Sequence, residues 1–280
     1  MTAGNRQRGF ALVSALWAAM MLALIAASIM IIGRSDGRIG HIRAIAAQGD
    51  ALADAGINTA IYRLLALDPA GRPPRDGTPF DIDIEGQTVT VRVQDETGKI
   101  DLNLAPASIL QRLLTAAGLD PETAQAETDR ILDWREAGDL RRLNGAKRED
   151  YRLAGYDYGP RGGPFPTVEE LQLLIGITPD LFGRLKPALT VVSQTDRVDR
   201  DVAPIEALLA LPGIDAAQTE RIVAARHAPE AATLGLLTDL TGRAFTIQAT
   251  VITSGRPVSR QAVIRLSGDA THPVWVYGWT

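Results

Sequence analysis

The chain contains no cysteine, which excludes disulfide stapling, thiolate zinc sites, iron–sulfur clusters and a cysteine nucleophile. Its three histidines, His41, His227 and His272, are far apart and form no HExxH or close pair, so nothing points to a histidine-based metalloenzyme. A nucleophile elbow, a phosphate loop and a dinucleotide fingerprint are all missing. The glycine-rich stretch 155–164 lacks the Gly-Lys-Ser/Thr ending of a phosphate loop and reads as a plain loop. Catalysis is therefore not expected. Aromatic residues make up only 5%, and Trp134, Trp275 and Trp279 read as packing residues rather than a ligand cage. With 46% hydrophobic and 22% charged residues, neither wholesale disorder nor a multi-span membrane protein fits the 280-residue chain.

Charge is absent altogether from Phe10 to Ile32, a run of 23 residues. As a helix rising about 1.5 Å per residue it spans a hydrocarbon core about 30 Å thick. Arg6 and Arg8 precede it; Arg34, Arg38 and Arg43 follow. The count of flanking cations is nearly balanced and leaves orientation open. Residues 1–49 hold five arginines against one aspartate, a surplus of +4, so the remainder carries −8 of the net −4. An acidic outer part is a poor phosphate binder on average. A cleaved secretory signal has a shorter apolar core of about 7–15 residues, so the plain reading is an uncleaved anchor.

The leader ends Arg8-Gly9, and the apolar run begins abruptly at Phe10. This boundary resembles the type III signal of type IV pilins and pseudopilins. The resemblance implies a leader over residues 1–9, cleavage between Gly9 and Phe10 by a prepilin peptidase, and N-methylation of Phe10. That family usually carries Glu at the fifth mature position, where it neutralises the terminal amine of a neighbouring subunit. Here the position is Ser14. A buried ammonium without a counter-charge is costly, so Ser14 marks a subunit that docks poorly behind another but can start a filament.

Helical periodicity continues through Ile42, Ile45, Gly49, Leu52, Ala53, Gly56, Ala60, Ile61 and Leu64. Gly33, Gly37 and Gly40 predict a loosening just outside the bilayer, and Asp68-Pro69 a stop at about residue 67. Phe80, Ile82 and Ile84, then Val89, Val91 and Val93, alternate with polar residues around Glu85-Gly86-Gln87, which predicts a β-hairpin. Further strands are expected at Phe245–Ile252, Gln261–Leu266 and Val274–Tyr277. From about Ala105 to Leu240 the pattern is mostly helical. The expected class is α+β: a long N-terminal transmembrane helix (10–32, continuing to about 67), an antiparallel sheet from 68–104 and 241–280, and an inserted helical domain over 105–240. Three domains in series is the alternative.

The central segment repeats itself. Leu208-Leu209-Ala210-Leu211-Pro212-Gly213-Ile214, followed by Thr219, Ile222 and Arg226, resembles a helix-hairpin-helix unit. Leu171–Ile177 with Phe182 and Leu185 is a second copy, and Leu113–Asp120 with Ile131 and Arg135 a weaker third. DNA-binding versions use turn amides against phosphate. Here Asp215, Asp120 and Thr178 follow the turns, and a carboxylate there repels phosphate. The hairpins therefore read as structural or protein-binding.

Together these features resemble the protein K family of type II secretion systems. The resemblance rests on Arg8-Gly9-Phe10, Asp95-x-x-Gly98-Lys99-Ile100-x-Leu102-Asn103, Ile131-Leu132-Asp133-Trp134, Gly145-Ala146, Tyr151, Phe165-x-x-Val168-Glu169-Glu170-Leu171 and Ile175-Gly176-Ile177. It implies a pilin-like helix and sheet with a large helical insertion. It further implies a minor pseudopilin at the tip of a periplasmic pseudopilus that initiates assembly in protein export across the outer membrane. The implied partners are minor pseudopilins I and J, the prepilin peptidase and the inner-membrane assembly platform, with no nucleic acid. The implied location is a single pass of the inner membrane with a periplasmic C-terminal domain. The competing functional reading is a membrane-anchored helix-hairpin-helix DNA receptor of the competence type. Relatives in the family can bind calcium near an Asp-Trp-x-Asp segment and a following Gly-Ala-Glu. This chain keeps Asp133, has Glu136 for an Asp and Gly138 at another acidic position, and places Lys147 where the glutamate stands. Asp133, Glu136 and Asp139 form a candidate weak calcium site; the plainer reading is a solvated acidic loop opposite Arg141 and Arg142. Calcium takes six to eight oxygens, and lysine supplies none.

Overall fold

The fold is that of a computed structural model in which residues 6–66, 71–226 and 239–280 are described, residues 6–9 and 29–42 by backbone alone. The first five leader residues, the helix stop expected at Asp68-Pro69 and His227 lie outside the described residues.

Helix α1 runs without a break from Arg6 to Leu65, 60 residues. The expected loosening at Gly33, Gly37 and Gly40 does not interrupt it. Its first half, Phe10–Ser28, is long and apolar enough to cross a membrane, and none of it is buried. Its second half turns Leu52, Ala53, Ile57, Ala60 and Leu64 inward. Those residues pack on one face of a sheet formed by β1 (Asp76–Ile84), β2 (Gln87–Asp95), β5 (Ala244–Thr253), β6 (Arg256–Leu266) and β7 (Val274–Trp279). The strand order is β1-β2-β5-β6-β7, with every pair antiparallel. Val89, Val91 and Val93 alternate inward, as do Phe245, Ile247, Ala249 and Val251, and these two rows carry the core under α1. Glycines let the helix come close. A Cβ on Gly56 would meet Val89 Cγ1 at 2.7 Å, and one on Gly49 would meet Val258 Cγ2 at 2.7 Å. Asp54 then ties helix to sheet, accepting from Trp279 Nε1 at 2.8 Å and Arg260 Nε at 3.2 Å.

The β1–β2 turn is the one the pattern predicts. Glu85 (φ 53°) and Gly86 (φ 77°) are both left-handed, as a two-residue hairpin turn with right-twisted strands requires. Strands β2 and β5 are neighbours, with Asp95 opposite Phe245. The chain between them therefore leaves and re-enters the sheet at one place. It builds a second core around Leu110, Leu114, Trp134, Tyr151, Leu171 and Leu208. Its base is a short parallel pair, β3 (Ile100–Asp101) with β4 (Leu189–Thr190). Its helices are α2 (Ala107–Ala116), α3 (Pro121–Arg135), α4 (Arg148–Leu153), α5 (Pro179–Leu185), α6 (Ile205–Leu209) and α7 (Ala216–Arg226).

All three expected hairpin turns carry glycine in the left-handed region: Gly118 (φ 100°), Gly176 (φ 94°) and Gly213 (φ 72°). The residue two positions later caps the next helix. Asp120 Oδ1 accepts from the amides of Glu122 and Thr123, and Thr178 Oγ1 accepts from Leu181 N. Asp215 and Gln218 bond reciprocally, side chain to amide, at 2.7 and 3.0 Å. In the second copy the first arm is a 3₁₀ turn, Val168–Leu173, rather than an α-helix. Among the tryptophans, Trp134 is buried and Trp279 packs against the sheet core, but Trp275 is 62% exposed. The expectation that Trp275 is a packing residue is corrected: it stands on the edge strand β7, largely in solvent.

Candidate assembly and cation sites

Gly9 and Phe10 lie in the first turns of α1, and the Phe10 side chain is 79% exposed. Ser14 Oγ donates to the carbonyl of Ala11 at 3.0 Å. Its hydroxyl is thus satisfied within its own helix and makes no electrostatic demand on a neighbour.

The segment from Asp95 to Asn103 joins the sheet to the insertion, and each residue of the pattern has a task there. Asp95, fully buried, accepts from Arg75 Nη1 at 3.1 Å, Arg243 Nη1 at 2.9 Å and Thr97 N and Oγ1 at 3.0 and 2.7 Å. A buried carboxylate survives when cations and amides satisfy its lone pairs in this way. Arg243 also reaches Asp199 at 3.1 Å. Burial works against the Arg243 charge, but Asp95 and Asp199 hold its pKa above the ordinary value. Gly98 is tight against backbone, where a Cβ would come within 2.4 Å of Val202 O. Lys99 pairs with Glu96 at 2.8 Å. Asn103 and Phe165 exchange two hydrogen bonds, at 2.6 and 3.0 Å. Arg135 caps the same strand end, donating to the carbonyls of Leu102 and Ala105. Sequence reasoning missed Arg243 and saw Arg135 only as part of the third hairpin, because the partners of both lie far away in the chain.

The candidate calcium residues sit where α3 ends. Asp133 is fully buried. Its Oδ1 accepts from Arg142 Nη1 at 3.0 Å and its Oδ2 from Arg142 N at 3.2 Å. The two oxygens of Glu136 accept from Arg142 Nη2 at 2.7 and 2.8 Å. Lys147 Nζ donates to the carbonyls of Asp133, at 2.9 Å, and Glu136, at 3.4 Å. Gly145 lets the loop close over Asp133: a Cβ there would lie 1.9 Å from Oδ2. Burial opposes the Arg142 charge, yet its bonds to Glu136 and Asp133 hold its pKa above the usual value. Asp139 is exposed on the loop. Among the described residues no three His, Cys, Asp or Glu side chains gather to hold a metal. The donor set that calcium would need is engaged by a guanidinium and an ammonium, so these residues do not fit the ion.

The hairpin turns do not present a phosphate site either. Arg226 donates to the backbone carbonyls of Ala203, at 2.8 Å, and Arg200. Asp215 is engaged as a helix cap.

Residues 92–194 match the family model for the type II secretion system protein K. The type II secretion system protein K of Pseudomonas aeruginosa is 32% identical over 54% of this chain and 48% of its own length. That of Klebsiella pneumoniae is 33% identical over 35% of this chain and 29% of its own. These matches thus span half or less of the curated relatives' length. Among solved structures, a chain of the GspK–GspI–GspJ complex from the enterotoxigenic Escherichia coli type 2 secretion system superposes with a TM-score of 0.55. It covers 88% of this chain and 98% of its own length at 13% identity, a likeness of fold. The matched segment includes the Asp95–Asn103 junction, Trp134 and the capped turn at Gly176, and over this segment the chain is similar to the type II secretion system protein K family.

Proposed function

We propose that the chain is a minor pseudopilin of a type II secretion system, a structural subunit rather than an enzyme. In this reading it stands at the tip of the periplasmic pseudopilus and initiates its assembly. The observation that carries the reading is helix α1. It is apolar and uncovered over Phe10–Ser28, and its other half is clamped to the sheet. Such a helix can leave a bilayer end-on while holding a folded domain outside it. Ser14 supports the tip position, because its hydroxyl bonds to Ala11 and asks for no partner ahead of it. The insertion supports it as well, since a second core of this size is hard to repeat along a tightly packed shaft.

In the same reading the chain is a single-pass protein of the inner membrane with its folded part in the periplasm. A prepilin peptidase cuts between Gly9 and Phe10, and Phe10 is N-methylated. Its lateral partners are minor pseudopilins equivalent to GspI and GspJ, the companions named for the structurally similar chain; the assembly platform receives it in the membrane. Mass spectrometry of the membrane-extracted protein tests this. A methylated Phe10 terminus is expected, with Gly9→Val leaving an uncleaved precursor. A wild-type terminus at Met1 or Thr2 would refute the processing. The DNA-receptor reading gains no support from Arg226 and Asp215, which are occupied within the fold.

A further inference from the structure

We propose that Lys147 and Arg142 serve as a built-in pair of cations that closes loop 136–147, so that this part of the insertion folds without a divalent ion. The inference stands independently of the secretion role. Helix α3 ends at Arg135, and its last carbonyls have no partner further along the helix. Lys147 Nζ comes back from the far end of the loop to two of the carbonyls there, those of Asp133 and Glu136. A positive charge at this place also meets the negative end of the helix dipole. One turn of chain away, Arg142 places its guanidinium between the side chains of Asp133 and Glu136, while its own amide covers the other oxygen of Asp133.

The loop is thus tied to the same helix terminus from its middle, by Arg142, and from its far end, by Lys147. A lysine ammonium offers three donors and no acceptor. A divalent cation approaching these carbonyls would meet two fixed positive charges and find the buried carboxylate taken. Gly145 completes the arrangement, because any side chain there would strike Asp133. The replacement is internal: ion binding is exchanged for two side chains whose concentration at the site never varies.

Hydrogen exchange of the full chain in detergent micelles, read on peptides covering residues 133–147, tests this. Wild-type exchange is expected to be the same in millimolar calcium as in chelator. Lys147→Met should speed exchange in the loop by about tenfold or more, with no rescue by calcium, since local opening is governed by the contacts removed. Lys147→Glu exchanges a donor for an acceptor and should open the loop in chelator and close it again in calcium. Slower wild-type exchange in calcium, or a saturable rise of the wild-type melting temperature with calcium, would overturn the proposal; this arm does not depend on any variant folding. Unchanged loop exchange in a folded Lys147→Met variant would overturn it equally.

Discussion

The indole Nε1 of Trp134 donates a 2.8 Å hydrogen bond to Oε1 of Glu170, and that carboxylate also receives Arg161 Nε and Nη2, each at 2.6 Å. Trp134 is 2% exposed and Glu170 8%. The two lie 36 positions apart and join the end of α3 to the 3₁₀ turn that opens the second hairpin. Removing the acceptor leaves a buried N–H unsatisfied. Glu170→Ala is therefore expected to cost about 1–3 kcal/mol, and Trp134→Ala about 3–5 kcal/mol through the cavity it opens. Thermal unfolding of the detergent-solubilised chain measures both. A Glu170→Ala protein as stable as wild type would show that the indole finds another partner.

Glu127 gives a pH dependence of defined sign. It is 2% exposed, and Arg130 Nη1 donates to its Oε1. Among the described residues its Oε2 has no hydrogen-bond partner. Burial pushes the carboxyl up from 4.5 to about 7, against the pull of Arg130. The folded chain keeps a proton that the unfolded chain releases between about pH 4.5 and 7. Stability from this group is thus fully present below about pH 4.5, falls as pH rises to about 7, and is level above that. The full loss is on the order of 3 kcal/mol, of which about 2–3 kcal/mol falls between pH 5 and pH 8. Glu127→Gln fixes the neutral form. Comparing unfolding at pH 5 and pH 8, the variant should lose less stability than wild type by that amount; equal losses would contradict the assignment.

Two glycines on helices separate packing from propensity. Gly56 faces the sheet, and its Cβ would need space already held by Val89. Gly56→Ala should cost about 1–3 kcal/mol by overpacking. Gly183, in α5, is exposed and a Cβ there meets nothing within 4 Å. Gly183→Ala should stabilise by up to about 1 kcal/mol through helix propensity. Melting temperatures moving in opposite directions meet this expectation. A neutral Gly56→Ala would mean that α1 does not press on the sheet at that point.

Much of this was legible because the signals are local. The Glu85-Gly86 turn, the alternating valines of β2 and the glycine turns of the three hairpins each show within a few residues. What escaped depends on long-range pairing. The parallel β3–β4 contact joins Ile100 to Leu189 through strands of two residues, too short for any periodicity to show. Arg243 reaches Asp95 across 148 positions. Ile57, fully buried, completes the inner face of α1 but is absent from the apolar spacing read there. In the sequence Asp215 reads as a charge that repels phosphate, whereas its geometric task is to cap α7. Both tasks suit a carboxylate at a helix start, and only the structure shows the second. Lys147 was visible as a substitution, but its reach back to the end of α3 was not.

The central claim is that one copy of this chain crowns a filament rather than building its shaft. A label fixed within residues 105–240, imaged on assembled pseudopili, tests that most directly. The account predicts label at one end of each filament, and failure of assembly to initiate when the chain is deleted. Label repeated at regular intervals along the shaft would contradict it, and with it the reading of Ser14 as the mark of a leading subunit.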